Sequence, residues 1–222
     1  MRSYTVKRAS SEVPLSETVA GAAWSDAESL SIDNYPWFKS GRKEATTVRL
    51  LYDEKALYVQ FLCADDTIYA ERTEINSAVC TDSCVEFFAM PAPELDDRYF
   101  NLEINCAGTF LLGWGRNVQE IEAGFVDPEL STKYLKIAAS VEGPQKEESP
   151  QDNGWWVTVA IPFELISQVS CREIQPSSGT TWRANFYRCG GKTNQQYACW
   201  NRIDTPRPDF HRPEFFGQLI FE

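Results

Sequence analysis

Three short stretches carry polar and aromatic side chains at alternate positions, the spacing that places them on one face of a strand. In RYFNLEIN (98–105), Tyr99, Asn101, Glu103 and Asn105 point one way, and Phe100, Leu102 and Ile104 the other. In CVEFFAM (84–90), Glu86 shares a face with Cys84 and Phe88, while Val85 and Phe87 turn inward. In TWRANFYRC (181–189), Arg183, Asn185 and Tyr187 oppose Trp182, Ala184 and Phe186. If these strands share a sheet, its outer face carries Glu86, Tyr99, Asn101, Asn105, Asn185 and Tyr187. Amides and carboxylates form bidentate hydrogen bonds with neighbouring hydroxyls. Aromatic rings offer a flat apolar body to an amphipathic partner. That chemistry suits a polyhydroxylated ligand such as a sugar. The same alternation also arises on the solvent face of any half-exposed antiparallel sheet.

A second concentration of chemistry lies in QYACWNRIDTPRPDFHRPEFFG (196–217). Prolines at 206, 208 and 213 exclude regular structure through most of it. Trp200 sits between turn-forming segments, so an exposed ring that stacks on a ligand competes evenly with a core role. Stiff prolines would lower the ordering cost of binding. A loop that merely covers a sheet edge or one end of a sandwich would look the same. For His211, the only histidine, a loop-locking hydrogen bond is favoured over a ligand contact. Trp24, Trp37, Trp155 and Trp156 are expected to pack in the interior. Trp114, between Gly113 and Gly115, is open to either role.

The elements that must position these groups are mostly strands. TTVRLLYD (46–53) and ALYVQFLCA (56–64) form a hairpin around a DEK turn. The segments 84–90, 98–105 and 109–114 follow. KYLKIAASV (133–141) and GWWVTVAIP (154–162) form a second hairpin around the polar loop 142–154. Segments 181–189 and 216–222 bring the count to nine strands. PFELISQV (162–169) reads as a short helix with proline in its first turn. The fold class is all-β: a two-sheet antiparallel β-sandwich, jelly-roll or immunoglobulin-like, with one or two short helices, built as a single domain over 1–222. The opening segment 19–38 is expected to pack along an edge.

At 222 residues, 43% hydrophobic and 13% aromatic, the chain buries a large core. A net charge of −11 argues against nucleic acid or an anionic membrane as partner. There is no apolar run of membrane-spanning length. An acidic chain admits calcium as a cofactor, with Asp65, Asp66 and Asp82 as oxygen donors. They lack the spacing of a calcium loop, so no metal ligand is assigned. The seven cysteines are irregularly spaced, a poor disulfide framework. The start, MRSYTVKRASSEVP, lacks the apolar core of a signal peptide. Both favour the cytoplasm, or an extracellular or periplasmic site if a signal was removed. Nucleophile, metalloprotease and phosphate-loop motifs are absent, so no catalytic residue is assigned and no enzymatic activity is expected.

Four runs in order, TTVRLLYDEKALYVQFLCADD, TDSCVEFFAMP, YFNLEINCAGT and CW…FHRPEFFGQLIF, resemble the family 9 carbohydrate-binding modules across roughly residues 15–222. These modules belong to a wider group of β-sandwich domains that bind sugars or haem. The resemblance implies a non-catalytic sandwich that clamps glucose- or xylose-based chains, often at an end, between two tryptophans, with calcium often bracing the structure. It implies that Trp200 is one clamp residue. The other tryptophan lies before the strand that starts at Cys84. Here that region, 65–83, has no tryptophan, and Tyr69 is the ring that could replace it. Equivalents of the polar contacts are sought at Glu86, Arg98 and Asn101. Two alternatives stay open: a haem-binding redox domain using Met90 and His211 as axial ligands, and a degenerate structural or interaction domain.

Overall fold

The computed structural model describes residues 1–16, 22–149 and 151–222; residues 19–21 of the opening segment lie outside them. The described residues form twelve strands and three α-helices. The first strands are β1 (Ser3–Arg8), β2 (Leu30–Ser31), β3 (Thr46–Tyr52) and β4 (Ala56–Cys63). Next come β5 (Cys84–Met90), β6 (Tyr99–Asn105) and β7 (Phe110–Gly115), then helices α1 (Val118–Ala123) and α2 (Pro128–Tyr134). The rest are β8 (Lys136–Ala139), β9 (Trp155–Pro162), α3 (Phe163–Ser170), β10 (Thr181–Gly190), β11 (Gln196–Cys199) and β12 (Gly217–Phe221).

The expected hairpins form. Asp53 Oδ1 accepts from the amides of Lys55 and Ala56, closing the β3–β4 turn, and Tyr52 then pairs with Leu57. β8 and β9 pair around the polar loop, but the first of them is shorter than its sequence suggests. Asp127 Oδ1 accepts from the amides of Glu129 and Leu130, and Pro128 starts a helix that absorbs Lys133 and Tyr134. Asn117 caps α1 in the same way. These caps raise the helix count to three. Two-residue β2, β1 and β11 raise the strand count.

One sheet runs β7-β6-β5-β10-β12-β1, with β11 beside the far half of β10; the other runs β1-β3-β4-β9-β8, with β2 beside β3. Pairing is antiparallel except at β1, which lies parallel to β12 through Ser3–Val6 and to β3 through Lys7 and Arg8. It therefore joins both sheets along one edge of a β-sandwich.

The alternation read from the sequence sets the inner faces. Phe87, Phe100, Leu102, Ile104, Trp182 and Phe186 all enter the central core. Phe87 and Phe186 stack at 4.8 Å, and Phe61 of the opposite sheet meets Phe186 edge-on at 6.2 Å. One ion pair is buried there: Arg188 Nη2 donates to Asp65 Oδ2 at 2.6 Å. The same oxygen accepts from Trp155 Nε1 and Ser83 Oγ, which satisfies the charge.

The outer face of the first sheet is not open to solvent over most of its area. The loop 200–216 folds across it and makes a second core from Phe88, Tyr99, Tyr187, Ile203, Phe210 and Phe216. Tyr187 stacks on Phe210 at 4.2 Å and donates its hydroxyl to the Phe210 carbonyl. This accounts for Phe210 and Phe216 of that loop: they form a third layer.

Candidate functional site

Asn105, Asn185, Tyr99 and Tyr187, read from the sequence as hydroxyl-binding groups, are buried and committed to chain contacts. Asn185 Nδ2 donates to the Asn201 carbonyl and its Oδ1 accepts from the Asn201 amide, which fixes the loop where it leaves β11. Asn105 Nδ2 donates to the Arg72 carbonyl and to Asp82 Oδ2. The Tyr99 hydroxyl and His211 Nδ1 share a hydrogen bond of 3.0 Å, the loop-locking role expected of that histidine. Asn185 and Tyr99 hold the covering loop down, while Asn105 anchors the 72–82 segment.

Two adjoining hollows remain where the loop stops short of the sheet. The deeper, about 340 Å³, lies over Glu86, Glu103 and Cys189 and is walled by the loop at Pro208–His211. The wider, about 870 Å³, runs outward between Trp37 and Phe38 on one side and Thr205–Pro208 on the other. Gln195, Tyr197 and Pro208 line both, so the two form one groove. Tyr197 projects at the junction, 39% exposed. Trp37 is half-buried; its Nε1 donates to the Thr205 carbonyl and its ring tilts against Phe210 at 5.8 Å. The β10–β11 hairpin enters the deeper hollow through Gly190, whose φ is +72°. A Cβ there would meet the carbonyl oxygens of Asp82 and Cys80, so only glycine fits.

The floor is a carboxyl pair. Glu86 on β5 and Glu103 on β6 are register partners, and Tyr187 on β10 stands opposite Glu86 from the other side. Cys189 donates its thiol to Glu86 Oε1 at 2.9 Å, and Asn101 Nδ2 donates to Glu103 Oε1 at 2.9 Å. Glu103 Oε2 has no hydrogen-bond partner among the described residues. Burial pushes the Glu86 carboxyl well above its usual range, and the neighbouring Glu103 adds to the effect. Burial also raises Glu103, to about 7, against the opposing influence of Cys80 and Asn101.

Of the five residues singled out from the sequence, Glu86 and Asn101 reach this floor. The other three do not meet there. Trp200 is only 3% exposed and packs edge-on against Phe186 in the central core, at 5.6 Å. The alternation of QYACW continues past the end of β11: Tyr197 and Cys199 face out, Ala198 and Trp200 face in. The Trp200 amide donates to the Phe186 carbonyl, keeping that register. The expected exposed ring is corrected to a core residue. Tyr69 donates its hydroxyl to Glu71 at 2.7 Å and lies under Lys192, outside both hollows. Arg98 is paired with Asp96 at 2.6 Å beside a separate surface hollow, its guanidinium over the Trp114 ring.

Sequence reasoning missed Tyr197 and Glu103 as site residues and placed Trp37 among packing residues. The signal for Tyr197 was present in the same alternation that buries Trp200. No local signal shows that the 35–41 segment approaches β11, since the chain is brought there by long-range contacts at its two ends, such as Asn34 to Cys199 and Arg42 to Gln196.

Among the described residues, no group of three or more His, Cys, Asp or Glu side chains is arranged to hold a metal ion. Asp65 is held by Arg188, Asp66 pairs with Arg42, and Asp82 accepts from Asn105 and the Arg72 amide. Met90 is buried in the second core and His211 Nδ1 is engaged by Tyr99. All seven cysteines are free thiols.

The model of carbohydrate-binding family 9 matches residues 21–221. A crystal structure of a candidate carbohydrate-binding protein from Bacteroides uniformis ATCC 8492 superposes with a TM-score of 0.86 at 29% identity, covering 100% of this chain and 99% of that one. A family 9 carbohydrate-binding module from Caldicellulosiruptor kristjanssonii, in complex with cellotriose, superposes with a TM-score of 0.65 at 13% identity, covering 100% of this chain and 94% of that one. Its complex with glucose gives 0.63 at 14% identity, with coverage of 100% and 96%. At that identity the two complexes show a shared fold. No protein of curated function matches the chain.

Proposed function

The chain belongs to carbohydrate-binding family 9, and from that premise we propose that it binds carbohydrate without catalysis in the groove around Tyr197. The observation that carries this reading is Tyr197 itself, a large ring 39% exposed at the junction of both hollows. Such a ring is a stacking platform for the apolar face of a pyranose. Trp37 supplies a second aromatic wall, Gln195 an exposed amide, and the Glu86–Glu103 floor supplies acceptors for hydroxyls. The combined groove suits a short gluco- or xylo-oligosaccharide, with one end of the chain in the deeper hollow.

The floor also favours binding over hydrolysis. Glycosidases place two carboxyl groups on either side of the scissile bond. Glu86 and Glu103 lie side by side on one sheet face. The affinity expected from one or two stacking contacts is modest, a Kd between about 1 mM and 1 μM.

The test is a calorimetric titration of the wild type and Tyr197→Ala with glucose, cellobiose, xylobiose and their reduced forms. Heat that is lost in the variant supports the groove, and failure of the reduced sugars assigns the deeper hollow to a reducing end. Folded wild type that gives no heat with any of them overturns the reading.

A further inference from the structure

We propose that the deeper hollow is built for a protonated amino group, so that the preferred occupant is an amino sugar, a glucan-like residue bearing an ammonium where glucose bears a hydroxyl. This rests on the sugar-binding reading of the groove and names the ligand class it takes.

The argument is one of uncompensated charge. Glu86 and Glu103 face each other across adjacent strands, each at least nine-tenths buried, and among the described residues neither has a cationic partner. The hollow is lined by no lysine or arginine. The titratable groups that face the pair come from four other elements. Cys80 precedes β5, Tyr187 and Cys189 lie on β10, Tyr197 lies on β11, and Asp209 and His211 lie on the covering loop. None supplies a positive charge. Burial lowers the His211 pKa, which favours the neutral ring. Arg188, the buried cation on the same strand as Cys189, turns to the opposite face and is held by Asp65.

Glu86 Oε1 and Glu103 Oε1 each accept one hydrogen bond, from Cys189 and Asn101, and Glu103 Oε2 accepts none. An unsatisfied buried carboxyl oxygen is costly. Two adjacent buried carboxyls cannot both ionise, so the empty pair holds a proton. A sugar hydroxyl brings one donor and no charge, so the pair keeps its proton. An ammonium brings three donors and a charge, and it lets both carboxyls ionise. The proton held by the pair then leaves to the buffer. Acetylation of the amine removes the charge and adds bulk, so an N-acetyl sugar does not gain from the pair.

The experiment titrates the protein at about pH 6.5 with cellobiose, the β-1,4-linked glucosamine disaccharide and its N-acetylated form, in two buffers of different ionisation enthalpy. The glucosamine disaccharide is expected to bind about tenfold tighter than cellobiose, with proton release. The acetylated form is expected to bind no tighter than cellobiose. Glu103→Gln should bring the amine and cellobiose affinities together, and Glu86→Gln serves if that variant does not fold. Cellobiose binding with no gain for the amine overturns this inference and leaves the sugar reading intact. No heat from any of the three overturns both. A preference that persists in Glu103→Gln and fades with salt reflects the net charge of −11 and overturns the assignment.

Discussion

Glu86 of β5 and Glu103 of β6 are direct cross-strand partners on the outer face of one sheet, and both carboxyls are buried with no counter-cation among the described residues. Like charges placed directly opposite each other destabilise a sheet. The arrangement persists because Asn101 and Cys189 each donate a hydrogen bond and because burial raises both carboxyl pKa values, which favours the neutral acid.

That pair makes stability depend on pH in a stated direction. Both folded-state pKa values lie above those of the unfolded chain, Glu103 at about 7. Above pH 4.5 the native state binds more protons than the unfolded one, so stability falls as pH rises towards and through 7. The Glu103 shift from 4.5 to about 7 corresponds to a loss on the order of 3 kcal/mol. Urea denaturation at about pH 5 and pH 8 should show the wild type less stable at the higher pH, with Glu103→Gln flattening the difference. A wild type that gains stability over this range would contradict the buried pair.

Tyr197 and Trp200, three residues apart, should behave oppositely on truncation. Trp200→Ala removes a core ring packed on Phe186 and should cost about 3–5 kcal/mol in denaturation. Tyr197→Ala should leave stability within about 1 kcal/mol and abolish sugar binding. A stable Trp200→Ala that loses sugar would restore the tryptophan as a ligand residue.

Asp65→Ala should be severe. It strands the Arg188 guanidinium, 1% exposed, and leaves Trp155 Nε1 and Ser83 Oγ without their acceptor. Breaking one side of a buried pair costs about 3–5 kcal/mol. Replacing both partners, Asp65→Leu with Arg188→Met, should recover part of that loss. Equal stability of Asp65→Ala and the wild type would show the pair to be idle.

The covering loop should loosen before the sandwich does. Tyr99→Phe removes its hydrogen bond to His211 at a cost of about 1 kcal/mol. Amide exchange is expected to accelerate across 200–216, while β4 and β9 stay protected. Uniform acceleration throughout the chain would mean that the loop and the core unfold as one.

Much of the architecture was legible as local pattern. Period-two alternation in 84–90, 98–105 and 181–189 assigns the inner faces correctly, because a pleated strand has no other way to place its side chains. The strands of 46–53 and 56–64 and their turn follow for the same reason. The helix at Pro128 was missed although its cap residue, Asp127, is in plain view, because a two-turn helix gives too short a period to outweigh the apolar run that follows.

By itself, then, the sequence determined an all-β sandwich, its inner faces and its membership of carbohydrate-binding family 9, since each depends on spacing along the chain or on the order of motifs. Only the tertiary structure decided which polar groups are free to meet a ligand. Asn105, Asn185, Tyr99 and Tyr187 carry the chemistry of a sugar site, yet the loop 200–216 takes the hydrogen bonds of Asn185, Tyr99 and Tyr187, and the 72–82 segment takes those of the Asn105 amide nitrogen. Glu86 and Glu103 stand on the same face and remain at the floor of a groove, where the loop stops and the 35–41 segment meets β11. Exposure depends on which distant segment covers a face. That is settled by packing between residues more than a hundred positions apart, as between Tyr99 and His211, and no local period records it.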